Sequence, residues 1–313
     1  MRTVPTEPSS GGGRLRELIA KAVEALFVTD ENGEITFASP GFLRMLGRTD
    51  DLVGRNVIEI VHPEDAPALR GALATVHARD AGAMNVDFRA EHDDGTWCWL
   101  DARATNLMTE PAIGGILVIV RDVSERKADE ADLRHRALHD TLTGLPNRTL
   151  LIDRLHGALG RSGRDGRSVT VFFLDLDLFK EINDNFGHPA GDEVLAGVAG
   201  RLAAVARTQD TVARFGGDEF VVVVEHEQDE EWVLAFAERL RNVFHAPVRA
   251  NRRLVPVTAS FGIATEKGDT RDPESILRDA DAAMYRAKQS GGDGYVTFDD
   301  SMLGDTVVDL SVD

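Results

Sequence analysis

The sequence has little of what marks secreted, membrane-spanning or nucleic-acid-binding proteins. It contains one cysteine, Cys98, so no intrachain disulfide can form and a reducing cytoplasm is expected. No apolar run approaches the ~18 residues that a membrane span requires, and the run at 116–120 is far shorter. Lysine and arginine total 35 against 53 aspartate and glutamate residues, a formal net charge of -18. This charge would repel nucleic acid and anionic membranes, so neither is expected as a partner.

Length and end composition predict the domain organisation. The 313 residues are enough for about two domains, each with its own core. Residues 1–13 are rich in proline, serine and glycine and lack the apolar core of a signal peptide, so a disordered leader is predicted. Residues 300–313 predict a short, acidic and disordered tail.

Residues 14–123 predict a first domain built on a small antiparallel sheet with helices between its strands. Helical spacing covers 15–25, and the first two strands flank a turn at 31–33. The predicted strands lie at 26–30, 34–38, 84–91, 96–107 and 113–122.

Residues 124–139 are charged and contain neither glycine nor proline, which predicts a linking helix. Their apolar positions form a short seam that would suit a paired signalling helix. A solvated connector is the alternative. The seam consists of Ala128, Ala131, Leu133, Ala137 and Leu138.

Residues 140–299 alternate between helical and strand patterns, which predicts a second domain with a mixed or antiparallel sheet flanked by helices. Asp272 followed by Pro273 is an N-cap pattern and supports a helix that begins there. Helices are predicted at 149–159, 191–206, 230–244 and 273–288. Strands are predicted at 169–174, 211–215, 219–224, 255–264 and 295–298.

The run 214–220 is the most informative stretch, because a glycine pair and two carboxylates precede the valine run 221–224. The pair Gly216-Gly217 predicts a two-residue hairpin turn, since glycine reaches positive φ without a Cβ clash. Asp218 and Glu219 would then project at the start of a buried strand. Taken alone, these acids are also explained as solvated turn residues.

A second carboxylate pair, Asp175 and Asp177, follows the β-branched and aromatic run 169–174. If the two strands are neighbours in one sheet, Asp175 and Asp218 come together, as a hard divalent cation such as Mg²⁺ requires. An anionic nucleotide bound to so acidic a chain would need compensation by metal and lysine. A solvated strand end is the alternative for Asp175 and Asp177.

Several motifs that occur in order resemble those of the GGDEF-type diguanylate cyclases. The resemblance covers about residues 138–299 and implies a palm-type, ferredoxin-like α/β domain, so that the whole chain is of the α+β class. The motifs are Asp140–Arg148, Phe173–Asp184, Gly187–Asp192, Gly216–Phe220 and Ala280–Lys288.

This resemblance implies that Asp175, Asp218 and the Leu176 carbonyl hold Mg²⁺ or Mn²⁺, with Glu219 as the acidic neighbour needed for turnover. The metal would activate the 3′-hydroxyl of one GTP for in-line attack on the α-phosphate of another. Lys180 would add a positive charge there. Further implied GTP contacts are Phe179, Gly216, Gly217 and Lys288.

Asn183 and Asp192 match the residues that read guanine in the family, and an N-cap is the alternative for Asp192. Arg207 and Asp210 match the product-inhibition motif, in which a guanidinium grips phosphate and guanine. A helix-end salt bridge is the alternative for that pair, and Arg239 could assist from a neighbouring helix.

The first domain resembles a PAS sensor domain, a dimerising and sometimes ligand-binding module whose signal the fold does not identify. His62 and His77 are candidate haem ligands, but lone histidines are more often structural, so no haem is predicted. Nothing around Cys98 resembles a flavin-adduct motif, so no flavin is predicted. Trp97 and Trp99 share a strand face and are expected to pack on a neighbouring element or a dimer partner. The PAS-like phrases are 28–33, 61–65, 94–99 and 121–126.

Each site would hold one GTP, so the resemblance implies a homodimer that makes cyclic di-GMP and that the PAS domain controls. One departure stands out, because Gly291-Gly292-Asp293 replaces the usual Gly-Arg-Asn. We expect weaker GTP binding unless Arg286 or Lys288 compensates. A non-catalytic cyclic di-GMP receptor and a PAS-mediated dimeric adaptor are the alternatives.

Overall fold

The structure is a computed structural model that describes residues 25–78, 83–227, 229–267 and 272–304. The chain divides into two compact units, 1–132 and 133–313, and the division falls inside a helix. Three sequence predictions lie wholly or mostly outside the described residues. They are the leader at 1–13, the helix at 15–25 and the tail at 300–313.

The first unit contains an antiparallel sheet with short helices between its second and third strands. Its strands are β1 Ala25–Thr29, β2 Ile35–Ala38, β3 Ala83–Glu91, β4 Trp97–Leu107 and β5 Gly115–Asp122. Its helices are α1 Pro40–Met45 and α2 Ala66–His77, with a 3-10 helix at Val57–Ile60. The strand order is β2-β1-β5-β4-β3, and the predicted antiparallel sheet is confirmed.

The inner face of this sheet is apolar and closely packed. Along β4, Leu100, Ala102 and Ala104 are buried at every second position, as the period of a strand requires. Aromatic side chains such as Phe27 and Phe88 fill the centre and leave a cavity of about 10 Å³. This volume is close to that of a single water molecule, and only apolar side chains line it.

The candidate cofactor residues of this unit have structural surroundings. The His62 ring packs edge-on against Trp97, with ring centroids 4.6 Å apart, and its Nδ1 accepts the Glu64 backbone N–H at 3.2 Å. His77 ends α2 and is exposed. Burial raises the pKa of the Cys98 thiol, which keeps it protonated, and the partly buried side chain packs against the apolar core.

A linking helix, α3 Ser124–Leu138, follows β5, and none of its residues is buried. Its start is bound to the sheet, because the Trp99 backbone N–H donates to Ser124 Oγ at 2.8 Å and Lys127 Nζ lies 5.2 Å from the centre of the Trp99 ring. Trp99 therefore packs on a neighbouring element, as expected. The seam residue Leu133 is 66% exposed, so the apolar seam is uncovered in the single chain.

The second unit has a mixed five-stranded sheet between two groups of helices. Its strands are β6 Ser168–Leu176, β7 Thr211–Gly216, β8 Glu219–His226, β9 Val248–Ala250, β10 Arg253–Val255, β11 Ala259–Lys267 and β12 Tyr295–Thr297. Its helices are α4 Arg148–Asp165, α5 Phe179–Phe186, α6 His188–Val205, α7 Glu230–Arg241 and α8 Pro273–Gln289, with 3-10 helices at Asn242–Phe244 and Asp300–Gly304. The strand order is β12-β11-β6-β8-β7, and β9 pairs with β10 in a separate hairpin.

Both faces of this sheet are covered. Phe172 and Leu174 of β6 enter one core with α6 and α7, whereas Val171 and Phe173 enter the other with α4 and α8. The valine run 221–224 on β8 is likewise buried on both faces. This double burial explains why β6 and β8 have continuous apolar sequences rather than alternating ones.

The second unit differs from the sequence predictions in several elements, among them β9, which was not predicted, and α4, which ends at Asp165 rather than at 159. The predicted strand 255–264 is interrupted, because Pro256 has no N–H to donate and separates β10 from β11. The predicted helix 191–206 begins earlier, at His188, where Pro189 suits the first turn. The helix α5 was not predicted, since it is too short to show clear periodicity. Across the described ranges, no helix is both long and apolar enough to span a membrane.

Candidate active site

Three carboxylates meet where β6 ends and β8 begins. The two strands are antiparallel neighbours, in a register that pairs Asp175 with Glu219. The Leu176 backbone N–H donates to the Asp218 carbonyl at 3.3 Å. The structure thus brings together Asp175 and Asp218 from separate segments. We refer to Asp175, Asp218 and Glu219 as the carboxylate end of the sheet.

The turn between β7 and β8 lies one residue later than predicted. Gly216 ends β7 and pairs with Glu219, so the turn residues are Gly217 and Asp218 rather than Gly216 and Gly217. Gly217 has a φ of +48°. The register shifts between Arg214 and Gly216, and this irregularity moves the turn along the chain.

The Arg214 side chain fixes this turn to a distant loop. Its Nε and Nη2 donate to the Gly217 carbonyl at 2.9 and 2.7 Å, and its Nη1 donates to both carboxylate oxygens of Asp140 at 3.0 Å. Although burial opposes the shift, hydrogen bonds from Thr143 and Arg214 hold the pKa of Asp140 below its usual value. Sequence reasoning placed both Asp140 and Arg214 in motifs and missed their contact.

The carboxylate end carries more negative than positive charge. Lys288 Nζ lies 2.7 Å from Asp175 Oδ1. Burial raises the pKa of Glu219 to about 7, with repulsion from Asp281, Asp175 and Asp218 adding to the effect. Burial also raises the pKa of Asp175, despite its bond with Lys288. A divalent cation would relieve this repulsion.

Asp281 was not among the predicted site residues. It lies on α8, two helical turns before Lys288, and contributes to the raised pKa of Glu219. Residues seven apart on a helix share a face, so this spacing is the sequence signal that could have identified Asp281.

The donors at the carboxylate end fit Mg²⁺ or Mn²⁺. Asp175 and Asp218 offer carboxylate oxygens and Leu176 offers a main-chain carbonyl, all of which are hard donors. Among the described residues, no three histidine, cysteine, aspartate or glutamate side chains form a metal site by themselves. Water and substrate phosphate oxygens would complete the coordination, as is usual for Mg²⁺.

The predicted guanine readers lie side by side, Asn183 on α5 and Asp192 on α6. A Cβ on Gly191 would collide with Asn183 Oδ1, so the glycine permits this approach. The N-cap alternative for Asp192 is wrong, because α6 begins at His188 with Gly187 as its cap. Asn183 is half-buried and Asp192 is exposed to solvent.

Phe179 and Lys180 form the first turn of α5, directly after the carboxylate end of β6. Phe179 is partly buried against the core and Lys180 is exposed. The cap residue before them, Leu178, has a φ of +55° and is 68% exposed. This left-handed conformation costs a non-glycine residue about 1 kcal/mol, and such strain often marks functional sites.

Arg207 and Asp210 lie at the opposite end of β7 from Asp218. Asp210 Oδ2 accepts the Arg207 backbone N–H at 2.8 Å, a contact different from the helix-end salt bridge considered as the alternative. The Arg207 guanidinium lies 5.8 Å from the centre of the Trp232 ring. Burial raises the pKa of Asp210, while the charges of Arg207 and Arg239 oppose this shift.

Comparison with known proteins agrees with this geometry. The family model described as diguanylate cyclase, GGDEF domain, matches residues 137–294, and a PAS fold model matches residues 35–117. The bifunctional diguanylate cyclase/cyclic di-GMP phosphodiesterase MucR of Pseudomonas aeruginosa is 46% identical over 171 residues, which are 55% of this chain and 25% of MucR. An uncharacterized signaling protein of Caulobacter vibrioides is 36% identical over 295 residues, which are 91% of this chain and 35% of the relative.

Solved structures give the same assignment for the second unit. The GGDEF domain of TpbB, also called YfiN, from Pseudomonas aeruginosa is 37% identical with a TM-score of 0.51, over 53% of this chain and 97% of that one. The structure of the coiled coil and GGDEF domain of DgcB from Caulobacter crescentus, in complex with c-di-GMP, is 27% identical with a TM-score of 0.50. The match covers 56% of this chain and 93% of the DgcB chain.

The chain spans only 25% of the length of MucR and 37% of the length of TpbB. The match to the GGDEF family model nevertheless covers half of this chain, in the unit that holds the carboxylate end. The match to the PAS fold model lies in the first unit, which contains the antiparallel sheet. The chain therefore belongs to the GGDEF-domain diguanylate cyclase family and carries a PAS-fold domain before its GGDEF domain.

Proposed function

We propose that this protein is a diguanylate cyclase, which condenses two GTP molecules into cyclic di-GMP with release of pyrophosphate. The observation that carries the proposal is the meeting of Asp175, Asp218 and Glu219 at paired strand ends in a GGDEF domain. Each chain offers one such group and the product contains two nucleotides. The active form is therefore a homodimer in which two GGDEF domains face each other.

The carboxylate end would support phosphodiester formation. Mg²⁺ or Mn²⁺ held by Asp175, Asp218 and the Leu176 carbonyl would lower the pKa of the 3′-hydroxyl and neutralise charge at the α-phosphate. Glu219 pairs with Asp175 across the two strands, and its ionised carboxylate would accept the proton released there. Lys288 already lies beside Asp175 and places positive charge close to the phosphates.

The substrate base would be read by the paired helices α5 and α6. The Asp192 carboxylate can accept hydrogen bonds from the guanine N1 and N2 positions, and the Asn183 amide can pair with an acceptor edge. Phe179 and Lys180 lie between these residues and the carboxylate end along the chain. Lys180, in the first turn of α5, adds a positive charge for the triphosphate.

Gly292 stands where the family usually has an arginine that contacts the triphosphate. A charged hydrogen bond is worth roughly 1.5 to 3 kcal/mol, so its absence raises KM by roughly tenfold or more while the chemical step is retained. We propose an active enzyme with weak GTP binding. Steady-state kinetics with GTP tests this account, and a KM as low as that of family members that carry the arginine would contradict it.

Regulation would come from both ends of the GGDEF domain. The uncovered apolar seam of α3 supports pairing of two linking helices, which would let the PAS domain control how the two sites meet. Arg207 and Asp210 would bind the product and inhibit turnover. The protein would work in the cytoplasm, where its substrate GTP occurs.

The test is a GTP turnover assay with chromatography of the products. Wild-type protein with Mg²⁺ should form cyclic di-GMP and pyrophosphate, whereas protein with EDTA and the variant Asp218→Asn should not. Arg167→Ala removes an exposed ion pair at the other end of β6 and should keep wild-type activity. A folded, dimeric wild type that makes no cyclic di-GMP would overturn the proposal.

The absent arginine at 292 favours a second candidate, a cyclic di-GMP receptor that binds through Arg207 and Asp210. Such a receptor would show no turnover, would bind cyclic di-GMP equally well as Asp218→Ala and would lose binding as Arg207→Ala. Isothermal titration of the three proteins with cyclic di-GMP separates the two functions.

A further inference from the structure

Asp177, two residues beyond Asp175, uses its side chain in a way that the sequence did not predict. Its Oδ2 accepts the Thr258 hydroxyl at 2.8 Å and the Asp293 backbone N–H at 3.0 Å, and its Oδ1 accepts the Ser260 hydroxyl at 2.7 Å. Its own backbone N–H donates to the Thr258 carbonyl at 2.9 Å. Three neutral donors from two segments therefore converge on one carboxylate.

These contacts separate Asp177 from its neighbour in the sequence. Asp175 lies beside a lysine ammonium and the other carboxylates, where a cation is favoured. Both oxygens of Asp177 are instead engaged by protein donors on the β11 side of the sheet, which fixes the orientation of its side chain. The two aspartates are chemically alike in the sequence and have different surroundings in the fold.

The loop 290–294, which follows α8, folds back over Asp177. The Gly291 and Gly292 backbone N–H groups donate to the Lys288 and Ala287 carbonyls at 3.1 and 3.2 Å and so cap the helix. Gly292 has a φ of +74°, and a Cβ at this position would lie 3.2 to 3.3 Å from the Asp177 carboxylate. A glycine at 292 thus allows the loop to approach Asp177 closely.

The same loop determines where α8 ends. Lys288 is in the last turn of that helix, and its ammonium lies 2.7 Å from Asp175. Because the loop caps this turn and Asp177 holds the loop, displacement of the loop would move the backbone that carries Lys288. A chain of direct contacts therefore connects Asp177 to the carboxylate end.

We propose that Asp177 is a positioning residue, which anchors the loop 290–294 and thereby holds Lys288 at the carboxylate end of the sheet. The proposal deepens the proposed function. It rests on that function only in taking Lys288 to serve the cyclase reaction. Asp177 does not bind the metal. In this chain Gly292 stands where the family usually has an arginine, and the contact with Asp177 keeps the loop 290–294 ordered around it.

Hydrogen exchange of the full chain, measured without substrate, tests the anchor. Asp177→Ala should speed exchange of the amides at 290–294 roughly tenfold or more, because the bond to the Asp293 N–H is lost. Asp177→Asn keeps one acceptor oxygen and should be close to wild type. The matched control is Asp272→Ala, which removes the cap at the other end of α8 and should leave this loop unchanged. Unchanged loop exchange in Asp177→Ala would overturn the proposal.

Binding of Mn²⁺ alone tests whether Asp177 is a ligand. Asp177→Asn should bind Mn²⁺ within about twofold of wild type, whereas Asp175→Asn should lose roughly tenfold or more, since amide oxygen is a poorer ligand than carboxylate. An equal loss in the two variants would overturn the proposal. Neither measurement requires turnover, so an inactive wild type would refute the proposed function and leave the anchor to be judged by these results.

Steady-state kinetics tests the connection to Lys288. Asp177→Ala and Lys288→Ala should each raise the KM for GTP more than they lower kcat, and the double variant should be no worse than Lys288→Ala alone. Asp177→Asn should have a KM and kcat close to those of wild type. The control Asp272→Ala should also show normal kinetics. Additive effects of the two substitutions would show that Asp177 does not act through Lys288.

Discussion

The two ends of the β6–β8 strand pair have opposite electrostatic character. At one end, Asp175, Asp218 and Glu219 repel one another, and the pKa of Glu219 is raised to about 7. At the other end, polar groups are hydrogen-bonded, with Thr170 Oγ1 lying 2.8 Å from His226 Nε2 and 2.7 Å from Thr265 Oγ1.

Charges at the second end are also paired. Arg161 Nη2 lies 2.6 Å from Glu225 Oε1, and Arg167 Nε lies 3.0 Å from Glu227 Oε1. One strand pair thus ends in satisfied contacts on one side and in repulsion on the other. The repulsion at the carboxylate end lowers stability, a cost that proteins commonly bear at functional sites.

The strongest test of this contrast is removal of a carboxylate. Asp218→Asn should lower turnover about 10²- to 10³-fold, a loss comparable to removing one electrostatic contact to a transition state. Its free energy of unfolding without metal should stay equal or rise, because a repelling charge is gone. Turnover assays and urea denaturation of the same preparations measure both effects. A destabilised Asp218→Asn protein would mean that the carboxylate end is not strained by repulsion.

The next largest effect concerns the arginine that fixes the turn. Arg214 is only 14% exposed, and Arg214→Ala leaves Asp140 without its partner, so the free energy of unfolding should fall by about 2 to 4 kcal/mol. At the other end, Arg167→Ala breaks an exposed pair and should change it by less than about 0.5 kcal/mol. Chemical denaturation compares the two variants. Equal losses would contradict the distinction between the partly buried and the exposed pair.

A smaller effect is expected from pH. Glu219 titrates near 4.5 when unfolded and near 7 when folded and metal-free, facing Asp281, Asp175, Asp218 and Lys288. The raised pKa stabilises the fold fully below pH 4.5, and this contribution is lost as pH rises through 7. The two pKa values correspond to about 2.5 kcal/mol between pH 5 and pH 8. Solvent screening at this partly exposed carboxyl reduces the expected loss of stability of the metal-free protein to about 1 to 2 kcal/mol.

Thermal unfolding across this pH range measures the slope. Glu219→Gln should flatten it, whereas Glu227→Gln at the opposite end should leave it as in wild type. Mg²⁺ should also reduce the slope, because a bound cation favours the ionised carboxylate. A slope that is the same in Glu219→Gln would assign the pH dependence to other groups.

The smallest effect is expected at the end of the strand pair that carries Thr170 and His226. Thr170→Val removes the hydroxyl that contacts His226 and Thr265, which should cost about 1 to 2 kcal/mol of stability. Turnover below the melting range should not change, since this hydroxyl lies at the far end of β6. Calorimetry measures the loss of stability, and the turnover assay measures kcat. A fall in kcat would show that the two ends of the strand pair are coupled.

Much of the fold followed from local sequence patterns. The run 169–174 and the valine run 221–224 identified β6 and β8, because strands buried on both faces are continuously apolar. The turn was misplaced by one residue because the irregular register of β7 depends on its pairing with β8. The interruption before β11 was missed although Pro256 signals it.

The candidate site could be predicted only in part. Motif resemblance drew attention to Asp175 and Asp218, but the sequence gives Asp177 the same appearance as Asp175. Only the tertiary contacts of Asp177 with β11 distinguish the two. The contact of Arg214 with Asp140 joins residues 74 positions apart, a distance over which local patterns carry no information.

Leu178 has a consequence for engineering. A leucine with a φ of +55° and 68% exposure lies between the Leu176 carbonyl and Lys180, and it leaves the native sequence below its stability optimum. Asparagine tolerates this backbone region, so Leu178→Asn should raise the melting temperature. A thermostabilised form of the protein could begin at this position, and any activity lost there would measure what the apolar side chain contributes to turnover.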